Sequence, residues 1–198
     1  MDETSLKIIN SAMNLIMEQG YSATTTKDIA RAAGVNECTI FRKFKGKKEM
    51  VLQAMRLKEW NPDLRPEDFA EYSGQLRADL ERFAKVYMGK VTPRFVKLSI
   101  GLRTPELYAD TAPGIMVVPQ VFKDGMERYF AHMAESGKID GGKAPGELAM
   151  MFLSLNFGFV FLRASFGCML SDMGEEEFIS RSVEVFAAGI SAEGRRLD

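Results

Sequence analysis

Over the first sixty residues the apolar positions recur every three or four places, not every second place. Ile9, Ala12, Met13 and Ile16, with Leu6 one step earlier, predict a helix over 5–19. Gly20 supplies its stop. Thr25 caps a second helix, with Asp28 facing the exposed amides, and Ile29, Ala30 and Ala33 make its inner face. Gly34 permits a sharp turn and Val35 tucks inward. Asn36 caps a third helix, whose Ile40 and Phe44 lie four apart on one side. A fourth begins near Lys47, runs past Met50, Leu52, Met55 and Leu57, and ends at Asn61-Pro62.

Beyond Asp63 the signals are mixed as far as Ser73, with Pro66 as a break. Leu76, Leu80, Phe83 and Tyr87 mark a helix, and Pro93 opens another carrying Phe95, Leu98 and Leu102. Thr104-Pro105 and Ala112-Pro113-Gly114 punctuate the chain, so the next helix is expected at about 115–134, closed by Gly137. After the loop Asp140-Gly141-Gly142, two final helices are expected at about 145–171 and 174–192. No strand alternation, internal repeat or low-complexity tract appears. The pattern predicts an all-α protein of about nine helices, divided into 1–48, a connecting helix at 49–62, and a helical body at 63–198.

Charge sharpens this division. Through Trp60, ten Lys and Arg stand against seven Asp and Glu, a balance of +3; the remainder, sixteen against twenty, carries −4. Arg42, Lys43, Lys45, Lys47 and Lys48 cluster without an acid among them. A basic end on an acidic body suits a polyanion partner for the first part alone, although a solvated charged face has the same composition. Two widely separated cysteines, Cys38 and Cys168, offer neither a disulfide framework nor zinc spacing. The first residues lack a secretion-signal pattern, and the cytoplasm is the expected location.

The segment 25–44 meets the three demands of a helix-turn-helix. Ala30 is small where two axes approach, Gly34 tolerates an unusual backbone angle, and Ile40 anchors the second helix from behind. The wider run is more specific. Gly20-Tyr21, Thr24-Thr25-Thr26, Asp28-Ile29-Ala30, Ala32-Ala33-Gly34-Val35, Thr39-Ile40-Phe41, Phe44 and Lys47 closely resemble the tetracycline-repressor-like (TetR) family over roughly residues 6–55. That resemblance implies an all-helical homodimer that binds a double-stranded DNA operator and is released by a small-molecule effector, most simply a repressor.

The resemblance also implies which residues meet DNA. Thr25 and Lys27 open the second helix, and Asn36, Glu37, Cys38, Thr39 and Phe41 lie on or just before the third. Arg42 and Lys43 stand at the groove wall, where Arg can bind guanine edges and Lys supplies charge to phosphate. Lys47 matches the family's backbone-contacting lysine. Glu37 has two readings, an acceptor for a cytosine amino group or a helix-start residue. Two departures stand out. Phe41 replaces the usual tyrosine and cannot donate to a phosphate, and Cys38 stands where glycine is frequent.

In the body, 150–170 is the strongest apolar segment. Its length would cross a bilayer, which takes about 20 apolar residues. Asn156 and Arg163 argue against insertion, because a charge deep in lipid costs at least ~2.5 kcal/mol. Burial on every side is then expected. Gly158 and Gly167 permit close helix approach, and Ile179, Val183, Phe186 and Ile190 form a coiled-coil-like stripe, so these two helices are expected to pair across a dimer. Such a pairing would hold two reading helices ~34–36 Å apart, or a multiple of that, on a palindrome. Fourteen Phe and thirteen Met exceed the needs of a small core. Phe83, Tyr87, Phe95, Tyr108, Met116, Phe122, Phe152 and Phe159 are candidates for an apolar cavity, with Asn156 for a neutral polar ligand group and Arg163 for an anionic one. The lone His132 has no nucleophile at readable spacing, and no phosphate-cradling loop appears. Neither an enzyme, a cofactor, a metal site nor a membrane partner is expected. A helical assembly protein using the helix-turn-helix for other contacts, and a membrane-anchored helical protein, are the alternative readings.

Overall fold

The computed structural model describes residues 1–192. Among these the elements are helical: α1 (Glu3–Gln19), α2 (Thr26–Ala33), α3 (Glu37–Lys43), α4 (Lys47–Ala54), a 3-10 turn (Pro66–Phe69), α5 (Leu76–Lys90), α6 (Pro93–Gly101), α7 (Tyr108–Glu135), α8 (Pro145–Phe166) and α9 (Glu175–Ile190). The chain divides into two compact units. The first joins Met1–Asp63 to Arg94–Met116; the second joins Leu64–Pro93 to the chain from Val117 onward.

In the first unit α1 packs on α2 and α4. Its buried stripe is Ile8, Ile9, Ala12, Met13 and Ile16, at helical spacing, while Leu6 turns outward. Ile29, Ala30, Ala33, Ile40, Phe44, Met50, Val51 and Ala54 complete the local core, which Leu98, Leu102 and Leu107 join from later in the chain. A Cβ at Gly101 would stand 3.0 Å from the Ile16 carbonyl oxygen, so glycine is what lets α6 approach α1 this closely. Helix α4 stops at Ala54, earlier than its apolar pattern predicts. The chain turns there because Trp60 is drawn into the core, where its indole N–H donates to Asn10 Oδ1 at 2.9 Å. The Asn61 amide donates to the Met55 carbonyl at 3.2 Å, satisfying a group the helix leaves open.

Helix α7 starts seven residues before its expected position and runs through Pro113. Leu107, fully buried, explains this. The Thr104 carbonyl accepts from the N–H groups of Leu107 and Tyr108 at 3.0 and 2.8 Å, and the Leu107 carbonyl accepts from Thr111 N–H and Oγ1, both at 3.0 Å. This turn nucleates the helix upstream of the proline, whose missing donor is then a local loss.

In the second unit α5 packs on α8 and α9. A run of rings fills the space: Phe69 lies 5.3 Å from Phe122, Tyr87 4.5 Å from Phe122, Phe122 5.9 Å from Phe152, and Phe152 5.2 Å from Phe186. One carboxylate, Asp79, is buried among them and fully engaged. It accepts from Ser73 N–H and Oγ at 2.8 and 2.9 Å, from Gly74 N–H at 2.9 Å and from the Tyr129 hydroxyl at 3.2 Å.

The two last helices differ from expectation. Helix α8 ends at Phe166, not near 171, because Gly167 adopts a left-handed φ of 61° and breaks the winding. It is not buried on every side: Leu148, Phe152, Leu153, Asn156, Val160 and Ala164 face the core, while Met150, Met151, Phe157, Phe161 and Leu162 are exposed. By length and composition α8 alone among the described helices could cross a membrane. On α9, Ile179, Val183 and Ile190 are buried within the chain, so the stripe expected to face a partner instead forms intrachain core, with Phe186 half-buried beside Phe152 and Phe130. The outward face of α9 carries Val185, 75% exposed.

Replacing Asp79 by Ala leaves its donors unpaired and should lower the unfolding free energy by at least about 1–3 kcal/mol in urea titrations; Asp79→Asn should recover part of this. Burial raises the pKa of Tyr87, and burial together with the Asp79 charge raises that of Tyr129. The folded state therefore keeps phenolic protons that the unfolded chain releases near pH ~10. This contribution is complete below that pH and should fall away above it, which urea midpoints measured from pH 8 to 11 will show.

Candidate nucleic-acid interface

The start of each of the two short helices is built by a side chain that replaces a missing backbone partner. Thr25 Oγ1 accepts the Asp28 N–H at 3.1 Å and donates to Asp28 Oδ2 at 2.6 Å, fixing the start of α2. Gly34 closes α2 with φ 62° and ψ 38°, a left-handed pair that other residues resist. Val35, half-buried, then donates to the Ala30 carbonyl at 3.0 Å. Asn36 Oδ1 accepts the Cys38 N–H at 2.9 Å and starts α3. The Thr26 hydroxyl donates to Glu37 Oε1 at 2.6 Å, tying the amino-terminal ends of α2 and α3 together.

With Ile40 buried behind it, α3 has a defined outer side. Phe41 is 57% exposed, and Arg42 and Cys38 are exposed. Thr39 and Glu37 are half-buried, and Thr25, Lys27 and Asn36 lie on the surface. Of the two readings of Glu37, the bond from Thr26 gives it a definite architectural part. Arg42 has no ion pair among the described residues.

Three lysines of the basic cluster are already engaged, Lys48 by Asp110 at 2.6 Å. Lys47 Nζ donates to the carbonyls of Tyr21 and, at 2.6 Å, Thr24, and sits 3.9 Å from the centre of the Tyr21 ring. Burial lowers its pKa. The residue expected to contact DNA backbone thus holds the α1–α2 turn against the start of α4. Lys43 Nζ lies 2.6 Å from Asp2 Oδ2. Asp2 is also the cap of α1, accepting the Ser5 N–H at 2.8 Å, and this same pairing with Lys43 and Ser5 lowers its carboxyl pKa to about 2. Sequence reasoning missed Asp2 and Thr26. Asp2 caps α1 through Ser5, three residues on, but the lysine it pairs with lies 41 positions away.

The expected ligand-lining residues separate. Phe83, Tyr87, Phe122, Phe152 and Asn156 are buried in the second unit, where Phe159 stacks on Phe178 at 4.1 Å. Phe95, Tyr108 and Met116 belong to the first unit. The Arg163 guanidinium donates to Cys168 Sγ at 2.9 Å and to the carbonyls of Ser171 and Met173 at 3.3 and 3.0 Å, stapling the segment after α8. Gly158 and Gly167 have open space where a Cβ would stand.

Residues 8–54 match the family model of bacterial regulatory proteins of the tetR family. Over 193 residues the chain is 32% identical to the HTH-type transcriptional regulator YvkB of Bacillus subtilis (strain 168), covering 98% of this chain and all of that protein. The chain belongs to the tetR family. Solved structures agree in fold. NalD, the secondary repressor of the MexAB-OprM multidrug efflux pump in Pseudomonas aeruginosa, superposes with a TM-score of 0.71 at 18% identity, over 96% of this chain and 97% of its own. SmeT, solved as a complex with triclosan, does so with a TM-score of 0.66 at 18% identity, over 96% and 92%. A tetR-family chain is a transcriptional regulator and not an enzyme, and members of the family bind DNA and small molecules.

For this TetR-family protein the Lys47 ammonium is a test of architecture. Lys47→Met keeps the aliphatic stem and removes the charged donors. It should cost about 1–3 kcal/mol in thermal or urea unfolding, as for other charge-assisted bonds. An unchanged midpoint would show that water replaces the ammonium at both carbonyls.

Proposed function

We propose that this regulator is a cytoplasmic repressor that binds a palindromic operator as a homodimer and is released by a small apolar or amphipathic effector. The outward side of α3 carries the proposal: a seven-residue helix presents Cys38, Phe41 and Arg42 to solvent while Ile40 anchors it. Exposed apolar and guanidinium groups on one helix face suit the major groove, where thymine methyls and guanine edges lie side by side. Thr25, Lys27 and Asn36 flank this face and suit the phosphates beside it. Phe41, without a hydroxyl, contributes apolar contact.

Dimerisation is supported by the exposed apolar side of α8. Met150, Met151, Phe157, Phe161 and Leu162, with Val185 of α9, leave a surface that water solvates poorly. Gly158 on the same helix would admit a close neighbour. This replaces the α9 stripe as the intersubunit surface. The effector class is supported by the aromatic interior of the second unit and by NalD and SmeT, one named a repressor of an efflux pump and the other solved with triclosan. Because Arg163 staples a loop, Asn156 is the polar group better suited to a neutral ligand.

Release follows from linkage. An effector that prefers a conformation with wrongly spaced reading helices weakens DNA binding by the same factor that DNA weakens effector binding. A coupling of ~1–3 kcal/mol corresponds to about 5- to 150-fold.

Arg42→Ala should weaken operator binding in a salt titration and reduce the magnitude of the slope of log K against log salt by about 1. Phe161→Glu should yield a folded monomer by sedimentation equilibrium and abolish tight operator binding; a wild-type monomer at micromolar concentration would defeat the dimer reading.

A further inference from the structure

The pairing of Lys43 with Asp2 is not needed to hold α3, which Ile40 and Phe44 already anchor. Lys43 occupies the last turn of α3, next to Arg42, which has no ion pair among the described residues. Its side chain is 20% exposed and its ammonium meets the Asp2 carboxylate at 2.6 Å. That carboxylate is held in place from its other side, since Oδ1 caps α1 through the Ser5 N–H. It is also open to water, with the Asp2 side chain 60% exposed.

An oxygen anion, fixed by a helix cap and aimed at a lysine on the reading helix, has the chemistry of a DNA phosphate. Resting on the DNA-binding reading above, we propose that Asp2 is an internal substitute for a phosphate: it occupies Lys43 in the free protein and keeps it from the backbone of a bound duplex. Asp2 is then an affinity-determining residue. It withholds one phosphate contact and so weakens the sequence-independent part of binding, which phosphate contacts dominate. Asp2 is charged throughout the neutral range, and its pairing with Lys43 and Ser5 extends that charge to lower pH. Ion pairs with a solvent-exposed partner contribute little to stability, so the fold does not depend on this bond. Lys47 nearby is held by carbonyls, and Lys48, although also paired with a carboxylate, Asp110 at 2.6 Å, lies on α4 and not on the reading helix.

The test uses the full chain without an amino-terminal tag and a mixed-sequence 30-bp duplex, because phosphate binding needs no operator. Asp2→Asn keeps the helix cap, since Asn caps as well as Asp, and removes the charge. Glu3→Gln removes the same charge one residue away, from a side chain with no bond to Lys43. The expected result is binding several-fold tighter at 50 mM salt for Asp2→Asn, with a slope of log K against log salt steeper by about 0.9, one added phosphate contact. Glu3→Gln should tighten binding less and leave the slope unchanged. The double variant Asp2→Asn/Lys43→Met should return to the wild-type slope. Weaker binding by Asp2→Asn would make Asp2 a positioning residue for Lys43 and overturn the proposal. Equal behaviour of Asp2→Asn and Glu3→Gln would overturn it as mere bulk charge. A wild-type protein that shows no salt-dependent duplex binding would defeat the DNA-binding reading itself, and the proposal with it, whereas salt-dependent binding with no Asp2 effect defeats the proposal alone.

Discussion

The burial of Ile40 is the constraint on which the proposed interface depends. A seven-residue helix has too few internal bonds to persist in water. Helix α3 persists because one apolar side chain is fixed in the core of α1, α2 and α4, and because Phe44 holds the chain as it leaves. One anchored side fixes which residues point away. The left-handed turn at Gly34 sets where the helix begins, and the Thr26–Glu37 bond ties its start to that of α2. Each is a local bond of modest strength. Together they give a small element an orientation.

Basic residues near that element have two different employments. A lysine ammonium has three donors and a long flexible stem, so it can satisfy backbone carbonyls as readily as phosphates. Lys47 does so in the α1–α2 turn, and Lys43 is held by a carboxylate. The net positive balance of the first sixty residues therefore overstates the charge available to a polyanion. Arg42 differs because its guanidinium stands on the outer side of α3, without an ion pair among the described residues.

Local chemistry made most of the first unit legible from sequence. Thr25, Gly34 and Asn36 act through neighbours two to four residues away, and the structure realises each as a cap or a turn. Helical spacing likewise identified the buried sides of α1 and α2. The failures required knowledge of distant partners. Helix α4 is cut short by the pull of Trp60 toward Asn10, fifty positions away. Helix α7 passes through Pro113 because Leu107 is buried. Lys43 and Lys47 cannot be distinguished from free lysines until Asp2, Tyr21 and Thr24 are placed beside them. In the candidate ligand set, composition counted the aromatic residues correctly but could not divide them between two units or show Arg163 stapling a loop.

Helices α8 and α9 show the same limit in a more useful form. Both sequences carry enough apolar residues for two sides, and periodicity does not say which side faces the chain itself. On α9 the regular stripe of Ile179, Val183 and Ile190 is consumed by contact with the unit's own interior. On α8 the segment is apolar all round, so one side fills the core through Phe152 and Val160 while Met150, Met151, Phe157, Phe161 and Leu162 remain outside. A stripe is therefore weak evidence for an intersubunit surface, since an isolated helix needs one merely to join its own fold. The stronger evidence is the apolar side left over when that need has been met. This is why α8, and not the more regular α9, is the better foundation for a symmetric pair.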